Sequence, residues 1–222
     1  MGVSNKMHPA VSIIAAVILT LSTLGSTVLS LARSFASGSG PYNTLSMLPA
    51  TIALLLIVVV LFRRKKDRPA GIMMILALAL SIFNFGGNLI SAGTMCITMD
   101  LGDTMILCYM LATLISAFAS LVNAVFRAMA AAECFNPGKL SGGKGRFLLI
   151  LLPIVYVLLN AISAGVQTLL TFGSVSLPVA LASVFTLFFA SLIGGAPHVL
   201  VGLAFSIPVR EAAPAESVIT EN

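Results

Sequence analysis

Tryptophan is missing from this 222-residue chain, and charged residues make up only 9% of it. A soluble domain carries roughly 25% charged residues. With 59% hydrophobic residues and so little charge to cover them, a fold in water would expose too much apolar surface. The shortage of charge therefore excludes an ordinary water-soluble domain and makes a lipid bilayer the expected solvent and first partner. The mean hydropathy of +1.09 points the same way. The lack of Trp, with only three Tyr, also leaves a thin interfacial aromatic belt.

Acids are scarce where they would matter most. Asp67, Asp100, Asp103, Glu133, Glu211, Glu216 and Glu221 all fall outside the long apolar runs or at their margins. Proton and cation coupling usually needs a carboxylate at membrane depth, so that mechanism is disfavoured. There is no HExxH helix for zinc and no GxSxG elbow for a nucleophile. "GKLSGGK", Gly138 to Lys144, imitates the start of a phosphate-binding loop. The next residue is Gly145, so the magnesium-binding hydroxyl is missing, and an apolar run follows. We expect no enzyme, no metal and no cofactor. The net charge of +5 does not imply nucleic acid, because the cations sit in short gaps between apolar runs.

What the chain does have is long apolar stretches. A helix rises ~1.5 Å per residue, so a ~30 Å hydrocarbon core needs ~20 apolar residues. Six stretches qualify within a few residues: 10–32, 46–62, 70–93, 104–127, 147–169 and 176–206. The first is too long for a signal-peptide core and reads as a retained span. The expected fold is all-α: a polytopic bundle of six transmembrane helices, in an order that allows a 3+3 inverted repeat. Residues 1–207 form one transmembrane domain, and 208–222 read as a disordered tail.

The basic residues set an orientation. "RRKKDR", Arg63 to Arg68, fills the second gap, and Arg127, Lys139, Lys144 and Arg146 fall in the fourth. With six spans these lie on the same side as Lys6 and Arg210, and only Arg33 lies opposite. The positive-inside bias makes that side cytoplasmic, so a multi-pass protein of the cell membrane with both termini in the cytoplasm is expected. "RRKKDR" then reads as a topogenic anchor.

Helices in lipid associate through close backbone contact and hydrogen bonds rather than through hydrophobicity. In the fourth span Ala112, Ser116, Ser120, Ala124, Ala128 and Ala132 recur every four residues and suggest a packing seam. The polar residues within spans are also grouped. Asn84, Asn88 and Ser91 share one face of span three; Tyr156, Asn160, Ser163 and Gln167 share one face of span five. Asn123 lies about one turn from Ser120 and Arg127 in span four. An amide in hydrocarbon needs a partner, so these faces should turn inward, to bond across helices or to line a polar cavity.

"FNFGGN", Phe83 to Asn88, puts a Gly pair past the midpoint of span three, and "SLIGGAPH" does the same for span six. Paired interruptions in matching spans are the sequence pointer to a site in inverted-repeat transporters. Gly is also an ordinary packing residue in membrane helices. Pro197 should kink span six, and His198 just beyond it is an intramembrane candidate. Cys96 and Cys108 flank the outer loop and could close a disulfide on an oxidising face, or remain thiols.

Asn84, Asn88, Asn123, Asn160, Ser163, Gln167 and His198 are thus the candidate ligand-binding residues. They suit a small transporter or permease subunit for a neutral or zwitterionic polar solute, since no charge is expected inside. The alternative is an accessory or scaffold protein, holding partner membrane subunits or a second copy through the span-four seam.

Overall fold

The computed structural model describes residues 6–36, 48–98, 104–141, 143–169, 177–207 and 209. Six α-helices account for nearly all of them: α1 (Pro9–Ala36), α2 (Leu48–Arg63), α3 (Arg68–Thr98), α4 (Thr104–Phe135), α5 (Gly145–Leu169) and α6 (Leu177–Ser206). The expected tail apart from Val209, together with Arg33, Asp100 and Asp103, lies outside the residues whose side chains are described. Five helices are long and apolar enough to cross a membrane. α2 has 16 residues, a rise of ~24 Å, about a turn short of a ~30 Å core. The protein is an all-α polytopic fold.

Local chemistry sets the helix ends on the basic side. α2 stops where Arg64 turns into the left-handed region at φ 52°, a conformation that ends helices. Asp67 then caps α3: its Oδ1 accepts the Ala70 N–H at 3.0 Å, and its other oxygen accepts from Arg63 at 2.9 Å. α4 ends before Asn136-Pro137-Gly138, with Gly138 at φ 86°.

Each helix packs against its sequence neighbours, and α1 also packs against α6, so the six close into a ring. α3 and α6 stand at opposite positions in it. The N-terminus joins the α2–α3 turn: the Met7 N–H donates to the Arg64 carbonyl at 2.9 Å. The starts of α1, α3 and α5 and the ends of α2, α4 and α6 therefore share one end of the bundle, the end that carries the basic gaps.

Packing is uneven along the bundle axis. The buried apolar cluster draws on Met7, Ala15, Ala16 and Leu19 of the N-terminal part, on residues between Ala53 and Leu61, Ala70 and Ala77, and Phe126 and Cys134, and on Leu149, Val201, Ala204 and Phe205, all in the basic half. In the other half, α6 between 178 and 196 is exposed or half-buried almost all round, with Ala180 the buried exception. α3 beyond Ser81 and α1 beyond Thr23 are similarly open. The bundle is tight at the basic end and splayed at the other.

Glycine decides how α5 and α6 meet. Pro153 lacks an N–H, so the Leu149 carbonyl loses its helical donor. Gly202 lies directly on that carbonyl: a Cβ there would stand 2.5 Å from Leu149 O and 2.8 Å from Pro153 Cγ. A Cβ at Gly195 would stand 2.5 Å from Val157 Cγ1. The second Gly pair therefore contributes a packing contact. α6 runs unbroken through Gly194, Gly195 and Pro197, and α3 runs unbroken through Gly86 and Gly87. Neither helix offers the unwound backbone of a broken-helix site.

Candidate solute site in the helix bundle

Arg127 is the residue around which the site forms. The sequence groups it with the basic loop residues, at the edge of span four. The helix continues to Phe135, and Arg127 is 3% exposed. It lies six residues before Glu133, about 9 Å along the axis, inside the bundle. The charge-free interior expected from the sequence is therefore not what the chain builds. Arg127 Nη1 donates to the Ala77 carbonyl at 2.6 Å and to Ser81 Oγ at 2.5 Å, tying α4 to α3. Its Nε is buried without a hydrogen-bond partner. The ion pairs Arg63–Asp67 and Lys66–Glu133 lie elsewhere.

Beside Arg127 is a cavity of about 70 Å³, lined by Ala50 and Leu54 of α2, Ser81 and Asn84 of α3, Ser120, Asn123 and Arg127 of α4, and Tyr156 of α5. A water molecule occupies ~30 Å³ of liquid, so the space suits a few waters or one small solute. The hydroxyl protons of the two serines are directed away from it: Ser81 Oγ donates to the Ala77 carbonyl, and Ser120 Oγ to the Ser116 carbonyl. The amides of Asn84 and Asn123 make no hydrogen bond with any described residue. Asn123 is nonetheless only 9% exposed. Both amides line the cavity, where a water or a solute can reach and partner them.

The other sequence candidates divide. Asn88 is half-buried one turn beyond Asn84 and does not line the cavity. Asn160 donates to the Tyr156 carbonyl within its own helix at 2.9 Å. Ser163 Oγ donates to the Ala112 carbonyl at 2.9 Å and lies 2.8 Å from Ser116 Oγ, which therefore donates to it, so these hydroxyls bond α4 to α5. Gln167 is exposed. His198 packs edge-on against the Tyr156 ring, centroids 4.8 Å apart, behind the cavity wall. Cys96 and Cys108 are free thiols; Cys96 Sγ lies 3.0 Å from Met110 Sδ.

The small-residue seam of α4 is used only in part. Ala112 and Ala124 are buried, Ser116 and Ser120 half-buried, Ala128 and Ala132 exposed. Steps of four at 100° per residue drift by about 40° each, so a strict i+4 stripe winds off the contact face.

A second polar cluster seals the basic end. Lys66, one of the cations in the expected topogenic anchor, is 1% exposed rather than solvated. Its Nζ donates to Glu133 Oε1 at 3.0 Å, to the Phe205 carbonyl at 2.8 Å and to Ser141 Oγ at 3.4 Å. Glu133 also accepts the N–H groups of Gly138, Leu140 and Ser141 at 2.8, 2.9 and 3.2 Å, and the Ser141 hydroxyl. One ion pair thus joins the α2–α3 turn, the end of α4, the following loop and the end of α6. Among the described residues no group of His, Cys, Asp and Glu could hold a metal ion.

No family model, curated protein or solved structure matches this chain, so its chemistry is read from its own residues.

Proposed function

We propose that this multi-pass membrane protein is a small transport protein or permease subunit for a small polar solute, without a catalytic step of its own. The cavity supports this assignment through one observation: the amides of Asn84 and Asn123, which no described residue engages, meet the buried Arg127 side chain in a space of solute size. A purely structural polar network would satisfy its own members. The splayed half offers a route to the cavity, and the Lys66–Glu133 cluster closes the other end. The positive-inside bias of the loops supports a cytoplasmic location for that closed end and for both termini.

The test is flux. Proteoliposomes holding the full chain should swell faster than empty vesicles in osmotic gradients of small polar solutes. Asn123→Leu, reconstituted to the same density, should return swelling to the empty-vesicle rate. Equal swelling of wild-type and empty vesicles across a panel of such solutes would defeat the assignment.

The scaffold reading draws on a different observation, the exposure of Ala128 and Ala132. Small residues there let a helix of another chain approach closely. In that case Ala128→Leu with Ala132→Leu would break a complex with a partner membrane subunit while leaving flux unchanged.

A further inference from the structure

We infer that the solute held in this cavity is a small monovalent anion, of the size of chloride or formate, bound at Arg127; this rests on the transport assignment above and names its ligand class. Arg127 is a buried cation with no carboxylate beside it. Glu133, the nearest acid on its helix, is occupied by Lys66 at 3.0 Å and by three backbone N–H groups. Both bonds that Arg127 makes use Nη1 and go to neutral oxygens, and its Nε has no partner. A buried guanidinium without a counterion is costly, and an anion in the adjoining space would offset that cost.

The cavity also offers donors where an anion needs them. Asn84 and Asn123 each bring an amide NH₂ that no described residue engages. The serine hydroxyl protons are committed elsewhere, which leaves the guanidinium and the amides as the recognising groups. An uncharged solute could satisfy the amides but would leave the guanidinium charge uncompensated. The space of about 70 Å³ beside Arg127 is ample for an anion of the size of chloride, nitrate or formate.

The experiment uses the purified full chain in detergent. Its unfolding temperature is followed as sodium gluconate is replaced, at constant ionic strength, by sodium chloride, nitrate or formate. Formamide and urea serve as uncharged probes of similar size. The expected result is a saturable rise with the small anions and none with formamide or urea. Arg127→Gln should abolish that rise, and Arg127→Lys should raise the half-saturating concentration at least tenfold, because it keeps the charge and loses the fork of donors. If Arg127→Gln does not fold, a tenfold weaker formate response in Asn123→Leu carries the same weight. Formamide or urea acting as well as formate would overturn the anion and leave a neutral-solute permease standing. An anion response unchanged in Arg127→Gln would overturn the site. No response to any probe would overturn both the anion and the transport assignment.

Discussion

Replacing Glu133 by Gln removes the charge that Lys66 faces while nearly preserving the side chain's shape. The wild-type carboxylate accepts Lys66 Nζ, three backbone N–H groups and the Ser141 hydroxyl. Gln has one acceptor oxygen in place of two, and its NH₂ must face at least one of those donors in either orientation. Lys66, 1% exposed, would keep its charge with only the Phe205 carbonyl and Ser141 hydroxyl for company. Removing one partner of a buried pair costs about 3–5 kcal/mol. Lys66→Met is expected to cost less, about 1.5–3 kcal/mol, the range for hydrogen bonds to a charged group, because the carboxylate keeps its N–H donors. Because the two side chains touch, the double variant should cost less than the sum, with a coupling of about 1–3 kcal/mol. Reversible unfolding of the full chain in mixed SDS micelles measures all three. A Glu133→Gln cost below about 1 kcal/mol, or additive single costs, would refute the buried-pair account.

Four further outcomes follow from the packing and the electrostatics. Gly202→Ala should destabilise by about 1–3 kcal/mol, since its Cβ would press on the Leu149 carbonyl 2.5 Å away. Gly86→Ala and Gly87→Ala meet no atom within 4 Å and should be neutral or stabilising by up to about 1 kcal/mol in the same unfolding assay. Asn123→Leu should leave stability within about 1 kcal/mol of wild type while abolishing flux, because no described residue bonds the amide; a loss well above that would mean that the amide is structural. Burial pushes the Asp67 carboxyl up, but the Ala70 N–H and the Arg63 guanidinium outweigh it, so its pKa lies below the ordinary 3.8. Its contribution is therefore present above that value and lost as pH falls through the lowered one. Asp67→Ala should cost about 1 kcal/mol at neutral pH, with the difference from wild type vanishing in acid titrations of stability.

The apolar runs made the number and order of helices legible, because bilayer thickness imposes a length that composition can meet or miss. Asn84 and Asn123 were legible as inward-facing because hydrocarbon penalises bare amides. Arg127 was not, for a specific reason. Its charge marks a plausible end to span four, yet "AMAAAECF" continues in helix-forming residues to Phe135. That continuation was the available signal that Arg127 sits within a helix. Lys66 was hidden differently. In "RRKKDR" nothing distinguishes it from Lys65, which is exposed. Only the ring closure of α1 on α6 and the fold of the α4–α5 loop bring Glu133, Ser141 and Phe205 around it. The Gly pairs look alike in sequence, but Gly195 packs on Val157 while Gly86 and Gly87 face open space. That difference depends on neighbours, which one helix's sequence does not specify.

Anomalous diffraction from crystals of the full chain grown in sodium bromide would address the cavity most directly. We predict a bromide peak within hydrogen-bond reach of the Arg127 guanidinium and the Asn84 and Asn123 amides. Bromide found only at the exposed loop cations, with that space empty or filled by protein side chains, would contradict it.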